Sequence, residues 1–139
     1  MIQFTIPGPP TGKGRPRATA SGGYARMYTP TKTVSYEEKV VAFYLESNGH
    51  VPMIEKDVPV YADIIAFFKM PKSWSKTKLN KMVGTPCLKA PDFDNIGKII
   101  CDALNGVAYH DDKQVYQAHI SKYWSTTDRV EVEILADGE

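Results

Sequence analysis

Cysteine is scarce: Cys87 and Cys101 are the only two in 139 residues, and neither belongs to a CxxC pair. The three histidines, His50, His110 and His119, fall in no zinc-ligand spacing. A disulfide framework and a zinc module are both unsupported. Long apolar runs are missing as well. A membrane span needs roughly 20 consecutive apolar residues, and the best candidate, Val58 to Phe68, is broken by Asp63 and reads as a strand. No membrane association is expected. The opening MIQFTIPGPP has neither a basic start nor a long apolar stretch. The expectation is no secretory leader and a cytoplasmic location, nucleoid-associated when bound to DNA.

Acidic side chains are absent from two long blocks. Residues 1 to 36 carry Lys13, Arg15, Arg17, Arg26 and Lys32 without a carboxylate, and between Asp63 and Asp92 lie Lys69, Lys72, Lys76, Lys78, Lys81 and Lys89, again with none. Residues 92 to 112 reverse the pattern, holding Asp92, Asp94, Asp102, Asp111 and Asp112 against Lys98 alone. A formal net charge of +1 thus conceals a segregation of sign, as expected of a polyanion-binding protein with a concentrated acidic centre. At 42% hydrophobic and 24% charged residues the composition is ordinary for a globular protein, and the length fits a single domain over residues 1–139.

Ile2 to Ile6 alternates apolar and polar residues before Pro7-Gly8-Pro9-Pro10, the pattern of an opening strand. Thr11 to Pro30 shows no period beyond a short hairpin at Ser21 to Gly23 and reads as a long loop. Thr33 or Ser35 is placed to cap a helix reaching about Ser47, with Tyr36, Val40, Val41, Phe43 and Tyr44 on its apolar side. Val58 to Lys69 is apolar at both parities, which predicts a central strand covered on both faces. A short lysine-rich helix starts at Ser73 or Ser75 and ends near Val83. Ile96, Ile99, Ile100, Ala103 and Leu104 form the apolar arc of a helix that begins at Asp92 or Asp94 and stops at Asn105-Gly106. Strands over about Gln114 to Trp124 and Arg129 to Leu135 complete an α+β (α/β) domain, a mixed sheet with helices packed on it.

The chemistry concentrates in the acidic centre. Asp92 and Asp94 stand at i and i+2 before a helix, and in extended backbone both project to one side while Phe93 points into the core. Lys98 and Asp102 continue the polar face at four-residue steps, and His110-Asp111-Asp112 brings a second carboxylate pair ahead of a strand. Oxygen-only ligands of this kind suit Mg²⁺ or Mn²⁺. Each piece has a plainer reading: Asp92 or Asp94 as an N-cap, Lys98 as one member of a solvated ion-pair face, Asp111-Asp112 as turn residues, and His110 as a turn or core histidine. Five aspartates within this short stretch, flanked by acid-free basic blocks, are poorly explained by independent caps, because like charges repel unless a cation is bound. Two other motifs fail. An EF-hand would need ligands where Ile96 and Ala103 stand, and GPPTGKG is one residue short of a phosphate loop and has Gly14 in place of its Ser/Thr.

The string DFDN followed by Lys98, then Asp102-Ala103-Leu104-Asn105-Gly106-Val107, then Asp111-Asp112 with Gln114-Val115, resembles the RusA family of Holliday-junction resolvases. The Pro-Gly-Pro-Pro ending of the first strand, KGRPR and the YTP segment are similar to members often encoded by phages and prophages. The resemblance extends over essentially the whole chain. It implies a homodimeric, Mg²⁺-dependent endonuclease that cuts opposed strands of a four-way DNA junction. It also implies that Asp92, Asp94 and Asp112 are the essential metal-holding carboxylates and Lys98 the catalytic lysine, with Asp111 as a further candidate ligand and Asp102 matching the pattern.

The expected function is therefore metal-dependent, structure-selective cleavage of branched DNA in recombination and repair. Lys13, Arg15, Arg17, Lys72, Lys76, Lys78 and Lys81 are the candidates for holding the DNA backbone. Two rivals are an architectural DNA-binding protein without catalysis and a metal nuclease acting on other branched DNA or on RNA.

Overall fold

Apolar alternation along β1 (Ile2–Pro7), β4 (Val60–Lys69) and β6 (Arg129–Ala136) gives each strand one buried row. The computed structural model describes residues 1–15, 17–21 and 23–138, and at positions 17, 19, 21 and 24–26 the backbone alone. With β5 (Val115–Ser125) these strands form one mixed sheet in the order β1-β6-β4-β5, in which only β4 and β5 run parallel. A parallel pair needs a long crossover, and the segment bearing α2 (Lys76–Met82) and α3 (Phe93–Ala103) supplies it. The mixed sheet with helices is the α+β architecture expected from the sequence.

The core lies on one face. Ile2, Phe4 and Ile6 of β1, Ile64 and Phe68 of β4 and Val132 and Ile134 of β6 join one cluster with Tyr36, Val40 and Tyr44 of α1 (Thr31–Asn48) and Ile96, Ile99 and Ile100 of α3. The expectation that β4 is covered on both faces is corrected: Tyr61, Asp63, Ile65 and Phe67 remain half-exposed. Apolar residues at both parities arise here without a second helical layer, because Phe67 packs sideways against Tyr123, centroids 6.4 Å apart, and carries the Arg129 guanidinium 3.9 Å from its ring centre.

The long loop expected over residues 11–30, with its short hairpin at Ser21 to Gly23, contains a longer pair of strands. β2 (Arg17–Ser21) and β3 (Tyr24–Tyr28) pair antiparallel as a separate ribbon, turning at the position of the expected short hairpin. Its described side chains, Ala18, Ala20, Met27 and Tyr28, are all exposed, so they carry none of the period-2 burial that reveals core strands. Helix α1 starts at Thr31 rather than at Thr33 or Ser35. Thr33 is buried and its hydroxyl accepts the Gly14 N–H at 3.0 Å, which ties the N-terminal loop to the helix. Helix α2 opens as expected, with the Ser75 hydroxyl accepting from Lys78 N.

Gly97 sits buried on the inner face of α3, where a Cβ would run into Ile120 Cδ1. Gly97→Ala is expected to change stability little, since about 1 kcal/mol of helix propensity offsets a rotation of the Ile120 side chain. Gly97→Val brings a branched group against the same neighbour. It should lower the unfolding free energy by about 1–3 kcal/mol, the usual cost of overpacking. Urea unfolding of the two variants tests the difference.

Candidate active site

Asp92 occupies the N-cap position of α3, yet its carboxylate makes no capping hydrogen bond; only its backbone oxygen receives Ile96 N. The plain cap reading therefore fails for its side chain, which stands exposed. Asp94 lies in the first turn, also exposed. Phe93 does not enter the core as expected and is 58% exposed. The helix begins at Phe93, so the two-residue alternation of a strand gives way to the 100° step of a helix. That step turns Ile96, Gly97, Ile99, Ile100 and Ala103 inward instead.

Asp102 is the hub of the polar face. Lys98 Nζ approaches Oδ1 at 3.3 Å and Lys13 Nζ approaches Oδ2 at 3.1 Å, while Lys13 also reaches Glu37 at 3.3 Å. The loop before β2 is pressed onto the DFDN motif: Lys13 N donates to Asn95 O at 3.0 Å, and a Cβ at Gly12 would lie 2.8 Å from Pro91 Cβ. Lys13, a candidate for phosphate contact, is thus largely enclosed and engaged with two carboxylates, which marks it as part of the site's framework. Burial pushes the Asp102 carboxyl up, but hydrogen bonds with Lys13, Asp112 and Lys98 outweigh it and hold its pKa below the usual carboxylate value. For Lys13 burial pushes the pKa down, but its hydrogen bonds and charge pairing with Asp102 and Glu37 outweigh it and raise the pKa.

Asp112 faces Asp102. The neighbouring Asp102 carboxyl, with burial and Asp111 adding, raises the Asp112 pKa, as expected where two carboxyls compete for one proton. Asp111 has another task, accepting Lys113 N at 3.0 Å as one half of a capping box. Gln114 supplies the other half. Its Oε1 accepts from His110 N at 2.9 Å and Asp111 N at 3.0 Å, while Nε2 donates to Glu55 O at 3.0 Å and Val58 O at 3.1 Å. Behind it, buried Tyr109 donates its hydroxyl to Cys101 O at 2.6 Å, joining this turn to the end of α3. Sequence reasoning missed the role of Gln114 as it missed Glu37. The signal available was an Asp followed three residues later by Gln, a capping-box spacing.

Asp94, Lys98, Asp102 and Asp112 line one cavity of about 280 Å³. Asp92 and Asp94 border a neighbouring cavity of about 460 Å³ with Lys122, and Phe93 stands between the two. Among the described residues no three His, Cys, Asp or Glu side chains converge as a ready cation cage. Arg15, Lys72, Lys76, Lys78 and Lys81 are exposed, as backbone contacts require, and the Lys78 ammonium lies 4.4 Å from the Trp74 ring centre. The Arg17 side chain lies outside the described residues. No helix among those residues is long and apolar enough to cross a membrane.

The family model of endodeoxyribonuclease RusA matches residues 7–135, from the end of β1 to β6. The chain belongs to the RusA endodeoxyribonuclease family. It is also similar to the uncharacterized protein YqaN of Bacillus subtilis (strain 168), with 38% identity over 138 residues, spanning 96% of this chain and 94% of YqaN. As a RusA-family nuclease, its matched span takes in the whole acidic centre and the lysine-rich segment that precedes it.

Proposed function

We propose that this RusA-family chain is a Mg²⁺-dependent endodeoxyribonuclease that resolves four-way DNA junctions by paired phosphodiester hydrolysis. One observation carries the reading: Asp94, Lys98, Asp102 and Asp112 meet at a single open cavity, and the chain leading into it is a lysine-rich segment without acids. The donor set fits Mg²⁺, with Mn²⁺ as a substitute, because that ion is commonly held by one or two carboxylates while water and phosphate complete its shell. Asp94 and Asp112 would hold it from this cavity and Asp92 from the adjoining one; Asp111 is already engaged as a cap. Bound there, the ion would supply Lewis-acid charge and a nucleophilic water at neutral pH.

The chain's own residues do the rest. Asp102, itself held by Lys13, positions Lys98, whose side chain is 61% exposed and would meet negative charge growing on the scissile phosphate. Arg15, Lys72, Lys76, Lys78 and Lys81 contact the arms without reading sequence. A junction with two equivalent strands calls for two equivalent sites, and a homodimer supplies them. A purified preparation should introduce symmetric nicks into an immobile four-way junction with Mg²⁺ and none in EDTA. Intact strands would return the protein to an architectural role, and faster cutting of flaps, forks or RNA would replace the junction with another substrate.

Two results follow for single positions and for the lysine segment. Lys98→Ala should slow nicking by about 100-fold, the scale of one missing transition-state donor, with the melting temperature unchanged because the side chain is outside the core. Single-turnover rates check it. Changing Lys72, Lys76, Lys78 and Lys81 together to Gln should flatten the salt dependence of junction binding by about 0.9 of log–log slope for each phosphate no longer neutralised. Filter binding across a salt series reads the slope.

A further inference from the structure

Two of the most exposed apolar side chains in the molecule stand together beside the acidic site. Leu88 is 93% exposed and Phe93 is 58% exposed, and both line the cavity shared by Asp92, Asp94 and Lys122. Leu88 is not on a slack loop. Trp124 N donates to Thr85 O at 2.9 Å and Cys87 N to Lys122 O at 3.0 Å, which pins the preceding residues to β5. On the other side Lys122 Nζ donates to Lys89 O at 2.6 Å, and Lys89 N donates to Cys87 Sγ at 3.4 Å. The backbone is held on both flanks while the side chain is presented to solvent. Phe93 is held equally firmly, as the first residue of α3 between Asp92 and Asp94.

We infer that Leu88 and Phe93 form an apolar wedge that receives an unstacked nucleobase of the branched DNA, next to the phosphate to be cut. The inference rests on the nuclease reading of the neighbouring carboxylates and deepens it. The occupant follows from the surroundings. The cavity sets Lys122 against Asp92 and Asp94, and its Cys87 and Leu88 belong to the chain's acid-free lysine block; with the carboxylates neutralised by the proposed cation, these surroundings favour a polyanion over an acidic or neutral protein surface. Successive phosphates along a DNA strand are only about 3.4 Å apart along the axis. A phosphate held through a cation at Asp92 and Asp94 would therefore bring its own base or the next one against Phe93. Leu and Phe are among the side chains that proteins insert between base steps, and the cost of unstacking is lowest where pairing is already interrupted. A wedge beside the cutting site thus favours branch points over continuous duplex.

The experiment uses the full-length chain and a four-way junction with 2-aminopurine at the nucleotide flanking the nick. Fluorescence is read on binding and nicking is measured in Mg²⁺, with wild type, Phe93→Ala, Leu88→Ala and Phe93→Trp compared. Wild type should change the 2-aminopurine signal. Phe93→Ala should lose that change and nick about 10- to 100-fold more slowly, the scale of one missing base–aromatic stack, and Leu88→Ala should show a smaller loss of both. Phe93→Trp should restore signal and rate, which a merely structural role would not produce. An abasic site at the flanking position should make wild type and Phe93→Ala nick alike. Unchanged fluorescence and rate in both alanine variants overturn the wedge, as does a shift from dimer to monomer in sedimentation of Phe93→Ala, which would give the surface to a second copy. If wild type binds and changes the signal without nicking, and Phe93→Ala loses that signal, the wedge stands and the nuclease reading falls.

Discussion

Asp112→Asn and Asp94→Asn are each expected to reduce junction nicking by about 1,000-fold or more while leaving a folded protein. On the proposed mechanism each substitution removes one negative oxygen ligand, and a catalytic metal supplies several kcal/mol of transition-state stabilisation, at about 1.4 kcal/mol for each tenfold in rate. Binding in EDTA should move the other way. Without a cation the carboxylates at this cavity repel the phosphate, so Asn at either position should hold or improve junction affinity. Asp112 has a specific reason to tolerate Asn. Its carboxyl faces that of Asp102, which raises its pKa, and an amide can donate to the Asp102 carboxylate without needing a shared proton. Asp92→Asn separates function from capping, because Asn caps as well as Asp and the Asp92 side chain makes no capping bond to lose. Wild-type nicking by all three variants, or loss of EDTA binding together with nicking, would refute the metal-site assignment.

Gln114→Leu should be among the most damaging single changes to stability although the new side chain is of similar bulk and suited to burial. The buried amide satisfies four backbone groups, the N–H groups of His110 and Asp111 and the carbonyls of Glu55 and Val58. Each one left buried without a partner costs about 1–3 kcal/mol. Even with water reaching half of them, the loss is several kcal/mol from a total stability of about 5–15 kcal/mol. Asp112, two residues away, loses its fixed position at the same time. Gln114→Glu provides the graded comparison: a carboxylate can still accept from His110 N and Asp111 N but cannot donate to Glu55 O and Val58 O. Chemical denaturation should place it between wild type and Gln114→Leu. Equal stability of all three proteins would show that the clamp contributes nothing.

The sequence by itself determined the parts of this protein that depend on local period and composition. The alternation in β1 and β6, the Ile96/Ile100 arc of α3, the Ser75 cap of α2 and the spacing from Asp92 to Asp112 were all legible, because hydrophobic burial and capping act on residues a few positions apart. Family membership followed from the same string of acids. What only the tertiary structure decided involves partners distant in sequence. Lys13 meets Asp102 and Glu37 because the N-terminal loop folds across α1 and α3, a closure that no local pattern encodes. Phe93 turned outward because the helix already includes it, where strand-like alternation would have pointed it inward. One face of β4 stayed open because both packing helices lie on the other, and an apolar row reads the same whether a helix or a neighbouring ring covers it. Gln114 looked like a surface residue at the edge of a strand, and its four hydrogen bonds exist only once the turn after α3 meets the segment leading into β4.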